Sequence, residues 1–404
     1  MSLQTFQKNM IRHIKRTLIR IFKVIYKVML KVVKTDDKTV VFISFHGRGY
    51  SCNPKYIHKQ MCKDSRFDDY TFVWALKKPG AQPIEHAKQI RYNTLRYFYT
   101  MCKAKYWVVN CKLPFYIVKK PDQIYLQTWH GTPLKRLAHD IVQVEGQTFY
   151  RAGLTRDEMA ATYDRDVAKY NYMIAPNPFS YEVFQSAFRI NKERLIQTGY
   201  PRNDYLVQVT PNEIDAIKER FGLPKDKKVL LYAPTWRDNS YNVRGYLFEL
   251  KANFKRWKEM LSKEYVILFK PHYLIINTFK MSEELEDFVY LVDADADIND
   301  CYVASDVLVT DYSSVFFDYA NLQRPIYFYM FDLEEYADEL RGFYFDIHKD
   351  LPGDIFVDEE ELLTEIVKGS FNQAKLESFS KEFNIWQDGR SSQKVIDIVF
   401  GEGH

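Results

Sequence analysis

Short apolar runs alternate with longer amphipathic stretches along most of the chain, and this alternation limits the folds open to it. The run Thr39–Phe45 (TVVFISF) is rich in β-branched and aromatic residues, which is typical of a buried strand. We predict further strands at Tyr70–Ala75, Tyr106–Val109, Gln123–Thr128, Met173–Ala175, Arg194–Thr198, Lys228–Tyr232, Tyr265–Phe269, Phe288–Leu291, Val307–Val309 and Pro325–Tyr329. Helices are predicted between them, including Pro211–Phe221, Phe254–Lys263, Ile298–Ala304 and Val315–Leu322. Such alternation is typical of parallel α/β sheets.

The alternation restarts after Arg202, and 404 residues suffice for two domains of ~100–200 residues each. We predict a basic amphipathic helix over residues 1–36, a first domain over 37–205 and a second over 206–404. The last helix could pack back on the first domain. We expect two doubly wound, Rossmann-type domains that face a central cleft. Ligands of such sheets bind beyond the carboxyl ends of the strands.

The basic residues are concentrated at the N-terminus. Nine of the 57 Lys and Arg residues lie within residues 1–34, which leaves 48 basic against 53 acidic residues elsewhere. This balance argues against a nucleic-acid surface on the body of the protein. A cation arrives at every turn of the predicted helix, so a membrane-spanning segment is not expected. We predict that residues 1–34 lie along an anionic membrane surface; the alternative is a helix packed on its own domain.

Polar side chains follow three strands of the second half. These segments are Pro234-Thr235, Lys270-Pro271-His272 and Ser313-Ser314, the last directly before a predicted helix. Hydroxyl, ammonium and imidazole donors at such positions suit an anion. Because several donors occur without a set of acidic ligands, we predict a diphosphate held by protein groups alone. A simpler interpretation is that one of the two serines caps the helix, and this would account for that serine only.

The first half contributes a histidine. The strand ending at Thr128 runs into Trp129-His130-Gly131-Thr132-Pro133, where glycine permits a tight turn and proline can begin a helix. This arrangement would expose His130 at the mouth of the cleft. Histidine is the usual general base near neutral pH, although a structural role is as well supported by the sequence.

No metal site is predicted. The acidic run Asp293, Asp295 and Asp297 resembles a metal-binding cluster, but Asp297 directly precedes a predicted helix and is better explained as its cap. The chain contains no GxxxxGK[ST] loop, no HExxH motif and no GxGxxG after a strand.

Several motifs, in order, resemble those of the CDP-glycerol glycerophosphotransferases of wall teichoic acid synthesis in Gram-positive bacteria. They are LQTWHGTPLK (Leu126–Lys135), TGYPRND (Thr198–Asp204), APTWR (Ala233–Arg237), KPH (Lys270–His272), SDVLVTDYSSVFFDYA (Ser305–Ala320), RPIYFY (Arg324–Tyr329), RGFYFD (Arg341–Asp346) and DGRSS (Asp388–Ser392). The resemblance covers nearly the whole chain from about residue 40. The length is similar to that of the single-module primases and short-chain transferases.

The resemblance implies a GT-B-like fold and transfer of glycerol phosphate from CDP-glycerol to an undecaprenyl-diphosphate-linked acceptor, with release of CMP. It implies that His130 is the base and that His272 stabilises the departing CMP. The positions implied to bind CDP-glycerol are Trp129, His130, Gly131, Thr132, Pro133, Arg202, Pro234, Thr235, Lys270, Pro271, His272, Ser313, Ser314 and Asp318. Asp318 would accept a hydrogen bond from a glycerol or ribose hydroxyl.

The resemblance also implies a peripheral protein at the cytoplasmic face of the membrane, beside other teichoic acid enzymes. It implies no resident cofactor, although Mg²⁺ could accompany the diphosphate. Within the family, a ribitol-phosphate transferase and a glycerol-phosphate polymerase are alternatives to a priming or short-chain extension step. Outside it, the alternatives are a GT-B nucleotide-sugar glycosyltransferase, since fold does not fix function, and a non-catalytic membrane scaffold.

Overall fold

The computed structural model describes residues 10, 17, 20, 22–142, 154–235, 241–242, 245–246, 251–271, 281–293, 296–333 and 342–401. His272 and Asp295, both singled out above, lie outside these residues, as do Trp236 and Arg237 of the APTWR motif.

The first half forms a seven-stranded parallel sheet in the order β3-β2-β1-β4-β5-β6-β7. Its strands are β1 (Asp36–Ile43), β2 (Thr71–Leu76), β3 (Ala87–Arg91), β4 (Ala104–Val109), β5 (Ile124–Gln127), β6 (Tyr172–Ala175) and β7 (Leu195–Gln197). The accompanying helices are α1 (residues 22–32), α2 (Cys52–Met61), α3 (Leu95–Lys103), α4 (Arg156–Val167) and α5 (Pro178–Phe188). Both faces of the sheet carry buried apolar clusters, so it is doubly wound as predicted.

The second half forms a six-stranded parallel sheet in the order β12-β11-β8-β13-β14-β15 and a separate hairpin of β9 and β10. The strands are β8 (Lys228–Ala233), β9 (Tyr241–Asn242), β10 (Gly245–Tyr246), β11 (Tyr265–Phe269), β12 (Val289–Leu291), β13 (Val307–Thr310), β14 (Ile326–Tyr329) and β15 (Ile355–Phe356). The helices are α6 (Asp204–Gln208), α7 (Pro211–Arg220), α8 (Phe254–Leu261), α9 (Ile298–Ala304), α10 (Val315–Tyr319), α11 (Ile347–Asp350), α12 (Glu359–Lys368), α13 (Gln373–Phe383) and α14 (Ser391–Phe400). Apolar clusters again cover both faces.

The predicted strands are confirmed to within a few residues, but four strands, β3, β9, β10 and β15, were not predicted. In β3 only Ile90 is fully buried, because the strand lies at the edge of its sheet and lacks a continuous apolar run. Strands β9, β10 and β15 have only two residues each, too few to form a recognisable run. Helix α10 is shorter than predicted because the chain tightens into a 3₁₀ turn at Ala320–Leu322.

The last helix, α14, packs on the first sheet. Val395, Ile396 and Val399 belong to the apolar cluster that contains β1 and β2 side chains, and the Phe400 ring lies 4.3 Å from that of Tyr106. Asp204 fixes the beginning of the helix, since its carboxylate accepts hydrogen bonds from the backbone N–H groups of residues 391 and 392 at 2.8 and 2.7 Å. The TGYPRND and DGRSS motifs therefore meet in space. The boundary at residue 205 stays a prediction.

Helix α1 buries one face and exposes the other. Tyr26 is 1% exposed and Phe22 contacts the Phe98 ring at 4.3 Å, so the alternative of packing on the chain's own domain is confirmed for this face. The opposite face exposes the apolar residues Val24, Ile25, Val28 and Val32 beside Lys27 and Lys31. Among the described residues, no helix is both long and apolar enough to cross a membrane.

Candidate active site

His130 follows β5 and lies where the two sheets face each other. Its Nδ1 atom is 2.7 Å from the carbonyl oxygen of Asn110, which directly follows β4. A carbonyl only accepts hydrogen bonds, so Nδ1 carries the proton and donates it, while Nε2 keeps its lone pair. The ring thus has the tautomer that a base requires.

The environment of His130 keeps its ring neutral. The residue is open to the cleft, yet the surrounding protein removes much of its hydration, and this lowers the pKa of the imidazole to about 4. The hydrogen bond to Asn110 opposes the shift, and the positive charge of Arg202 adds to it. Because the pKa of His130 is lowered below 6.5, the imidazole is unprotonated at pH 7 and can accept a proton.

The loop that presents His130 is held in an uncommon backbone conformation. Trp129 has φ 50°, in the left-handed region that residues with a Cβ rarely adopt. Buried Asn53 fixes this turn, because its Nδ2 donates to the carbonyl oxygens of Thr128 and Trp129 at 3.2 and 3.1 Å. Strain of this kind is held only where the surroundings over-determine it, and it is concentrated at functional sites.

Thr235, Ser313 and Ser314 of the second half face the His130 loop across a cavity of about 290 Å³. Residues lining this cavity include Trp129, His130, Gly131, Thr132, Pro133, Leu134, Thr235, Tyr312, Ser313 and Ser314. A methyl group added at Gly131 would lie 3.0 Å from Ser314 Oγ, so glycine allows the two halves to approach closely. Ser314 caps α10 without a side-chain hydrogen bond to its backbone, so capping does not occupy this hydroxyl.

Arg202 and Asp318 form a buried ion pair next to the cavity. Arg202 Nε and Nη2 donate to one Asp318 oxygen at 3.0 and 2.6 Å, and Asn203 Nδ2 donates to the other at 2.8 Å. Both side chains are less than a tenth exposed. Arg202 Nη1 also donates to the His130 carbonyl oxygen at 2.9 Å. In this structure the pair connects the halves and supports the His130 loop; contact of either residue with the donor stays a prediction.

The remaining predicted residues follow strands of the two sheets. Pro234 and Pro271 are buried at the ends of β8 and β11. Lys270 Nζ donates to the Asp293 carbonyl oxygen at 2.6 Å. Thr132 accepts a hydrogen bond from Asn177, the residue that caps α5. Thr132 also lines the cavity, and contact of Pro234, Lys270 and Pro271 with the donor stays a prediction.

The acidic run before α9 has a structural role at its last residue. Asp297 caps α9 by accepting from the Asn299 N–H at 3.1 Å, and its carboxylate pairs with Lys55 at 2.5 Å, as the capping interpretation predicted. Within the part of the chain that the structure describes, no three His, Cys, Asp or Glu side chains are arranged to hold a metal ion. Binding of Mg²⁺ together with the diphosphate stays a prediction.

Sequence reasoning missed the asparagines that hold the site. Asn53, Asn110 and Asn203 are each at most 4% exposed. Asn53 and Asn110 bond the His130 loop, and Asn203 bonds Asp318, the partner of Arg202. Asn110 directly follows β4. It could have been predicted by considering polar residues at the strand ends of the first half as well as those of the second. Asn53 lies inside α2, where nothing local marks it.

Comparison with known proteins identifies the family. Residues 24–401 match the family model described as CDP-Glycerol:Poly(glycerophosphate) glycerophosphotransferase. The chain is 37% identical, over 95% of its length and 97% of the relative's, to the teichoic acid poly(glycerol phosphate) polymerase of Bacillus spizizenii. It is 37% identical, over 93% and 96%, to the teichoic acid glycerol-phosphate transferase of Staphylococcus aureus.

A longer relative and a solved structure agree. The Bacillus subtilis poly(glycerol phosphate) polymerase is 39% identical over 99% of this chain, which spans 55% of that protein. A structure of the wall teichoic acid polymerase TagF soaked with CDPG superposes with a TM-score of 0.86 at 37% identity, covering 99% of this chain and 98% of that one. The two parallel sheets thus have the GT-B-like arrangement expected from the sequence, and the protein is a member of the CDP-glycerol glycerophosphotransferase family.

Proposed function

We propose that this enzyme transfers glycerol phosphate from CDP-glycerol to an undecaprenyl-diphosphate-linked teichoic acid acceptor and releases CMP. The observation that carries this proposal is His130, a neutral base whose Nδ1 is committed to Asn110 and whose ring lines a cavity opposite two serine hydroxyls. A hydroxyl acceptor needs such a base, and a diphosphate donor needs such hydrogen-bond donors.

The reaction follows from this arrangement. An acceptor hydroxyl gives its proton to His130 Nε2 as its oxygen attacks the glycerol-bearing phosphorus. The bond from that phosphorus to the bridging oxygen breaks, and its electron pair leaves with CMP. Hydroxyls of Thr235, Ser313 and Ser314 line the same cavity and would donate to the phosphoryl oxygens, where charge develops. His272 is proposed to stabilise the leaving CMP.

Mg²⁺ would belong to the substrate in this scheme. Magnesium prefers oxygen ligands, retains several waters and commonly binds substrate phosphates with one or two carboxylates. It would neutralise diphosphate charge, while the protein hydroxyls orient the donor.

We infer a priming or short-chain extension step. The relatives of similar length include a protein named a polymerase and one named a transferase, at the same 37% identity, so identity does not separate the steps. Polymerisation and use of CDP-ribitol remain the alternatives, and product length and donor choice distinguish them.

The enzyme is proposed to act at the cytoplasmic face of the membrane, held there by α1. Its outer face combines exposed Val24, Val28 and Val32 with lysines. Phe115 and Val118, in the segment between β4 and β5, are also exposed. Because Lys23 Nζ of α1 lies 4.7 Å from the Phe115 ring, this segment extends the same face. Apolar side chains among cations suit the boundary of an anionic bilayer, where the lipid-linked acceptor is confined.

The decisive experiment is CMP release from CDP-glycerol or CDP-ribitol with a lipid-linked disaccharide, with and without one glycerol phosphate attached. Mass spectrometry of the product counts the added units. Release with CDP-glycerol supports the proposal, and addition of one or a few units supports a short-chain step. No release with any donor and acceptor would contradict it, and long products would indicate a polymerase.

A further inference from the structure

We propose that a phosphate subsite for the acceptor lies at the carboxyl edge of the first sheet beside His130. It is formed by Arg48, Lys77 and Lys112, here named the cationic edge. The inference rests on the proposed function and concerns the acceptor, whereas the cavity described above concerns the donor. The ligand class is a phosphodiester already present in the acceptor, one glycerol unit from the attacking hydroxyl.

The topology brings these residues to one edge. Lys77 follows β2, Arg48 lies in the loop after β1, Lys112 lies in the loop after β4, and His130 follows β5. These four strands are consecutive neighbours in the sheet, in the order β2-β1-β4-β5. Because the strands are parallel, all four loops emerge at the same edge.

Hydrogen bonds join the loops into one surface. The Lys77 N–H donates to the Gly47 carbonyl oxygen at 2.6 Å, and the Phe45 N–H donates to Asn110 Oδ1 at 2.8 Å. The Asn110 carbonyl oxygen in turn accepts from His130. An unbroken chain of contacts therefore runs from Lys77 to the base.

The loop after β1 is tightly fixed in an uncommon conformation. Phe45, His46 and Gly47 have φ values of 45°, 56° and 78°, all left-handed. A Cβ at Gly47 would lie 2.9 Å from the Ala75 carbonyl oxygen, so the loop is packed against β2 with no room for a side chain. Such over-determined strain is concentrated at functional positions.

One buried donor at this edge has no partner. Asn110 is 0% exposed, and its Nδ2 atom forms no hydrogen bond with any residue that the structure describes, although its Oδ1 and carbonyl oxygen are both used. A buried polar atom left unpaired in a native site calls for an explanation. A ligand oxygen at this edge would supply it.

The charge of the edge is positive. Loss of hydration lowers the pKa of His46, and the charges of Arg48, Lys77 and Lys112 lower it further. Arg48 and Lys77 are exposed, whereas Lys112 is partly buried, donates from Nζ to Thr162 Oγ1 at 2.8 Å and lies 3.4 Å from the centre of the Tyr163 ring. The Asp166 carboxylate raises the pKa of His46, but this carboxylate is buried and pairs with Lys169 at 2.7 Å.

The distances select the kind of acceptor. Strand β1, which precedes Arg48, is two strand spacings from β5, roughly 10 Å, and β2, which precedes Lys77, is three, roughly 14 Å. The Phe45 ring lies 5.6 Å from the His130 ring. A phosphate one glycerol unit from the attacking hydroxyl lies within this span. The diphosphate of a lipid-linked disaccharide is farther away, behind two sugar rings. The cationic edge therefore favours acceptors that already carry glycerol phosphate, through charge-assisted hydrogen bonds.

The test is the double variant Arg48→Gln/Lys77→Gln, assayed by CMP release with the two lipid-linked acceptors of the preceding experiment. We expect KM for the acceptor bearing glycerol phosphate to rise about tenfold or more, the order expected for losing charged hydrogen bonds. KM for CDP-glycerol and activity with the bare disaccharide should stay unchanged. The matched control is Lys192→Gln, an exposed lysine three residues before β7 of the same sheet, which should behave like the unmodified enzyme.

Each other outcome contradicts the subsite. An equal loss with both acceptors would assign the cationic edge to the shared diphosphate, and no change with either would remove any role in acceptor binding. A rise in KM for CDP-glycerol alone would place the edge in the donor site. Failure of the unmodified enzyme to release CMP would instead overturn the proposed function, and the subsite with it.

Discussion

His130 combines two properties that a general base needs, and both can be tested through pH. Its Nδ1–H is fixed by the Asn110 carbonyl, and its pKa is lowered from 6.5 to about 4, chiefly by lost hydration. Protonation removes the base, so kcat/KM should fall as pH decreases through this pKa, which belongs to the free enzyme. We expect kcat/KM to hold its plateau below pH 6.5 and to fall toward pH 4, measured by CMP release. An acid limb at or above pH 6.5 would contradict the assignment.

Replacing His130 separates its role in catalysis from one in binding. In His130→Asn a side-chain N–H can still approach the Asn110 carbonyl, but no base remains. We expect kcat to fall by ~10²–10⁴-fold, the usual contribution of general base catalysis, while CDP-glycerol affinity by titration calorimetry stays the same. His348→Gln, an exposed histidine on α11, is the control and should keep full activity. Lost affinity with retained kcat would make His130 a binding residue.

The segment Pro201–Asn203 and helix α10 are joined by the Arg202–Asp318 pair, and this connection should matter for stability. Both side chains are buried, at 7% and 6% exposure. Asp318→Asn would leave the Arg202 charge without its partner, which costs about 3–5 kcal/mol for a buried pair. We expect the urea midpoint of unfolding to fall accordingly, and kcat to fall with it because Arg202 also supports the His130 carbonyl.

An exposed ion pair provides the comparison. Arg256 of α8 and Glu360 of α12 are 2.6 Å apart but 39% and 53% exposed, so Glu360→Gln should leave the midpoint unchanged. If Asp318→Asn kept full stability and only raised KM for CDP-glycerol, Asp318 would contact the donor, as the family resemblance implied, and the pair would not be a structural connection.

The elements could be predicted from the sequence where the evidence is local. The buried strands are continuous apolar runs, and the residues after β5, β8 and β13 are recognisable because strand ends and motifs coincide. The edge strand β3 lacks such a run. Pairings such as Arg202 with Asp318, 116 residues apart, depend on how the sheets meet and leave no local pattern. The Asn53 contact with Trp129 is hidden for the same reason.

At the scale of the whole molecule, helix α1 contributes one face to the core and the other to the surface. Tyr26 contributes to the core of the first half, so removing residues 1–34 would expose that core and confuse lost folding with lost binding. Val24, Val28 and Val32 are 63%, 54% and 69% exposed, so they can be changed without disturbing the packed face. The two faces therefore allow the membrane proposal to be tested without changing the fold.

The triple variant Val24→Gln/Val28→Gln/Val32→Gln should weaken binding to anionic liposomes by more than tenfold in cosedimentation, because each buried apolar side chain contributes about 1.5–3 kcal/mol. Its urea midpoint and its turnover of a water-soluble acceptor analogue should not change, since the substituted side chains face solvent. Val367→Gln, an equally exposed valine at 52% on α12, should bind liposomes normally. Normal liposome binding by the triple variant would refute the membrane role of this face, whereas lost turnover of the soluble analogue would show that the face serves the active site.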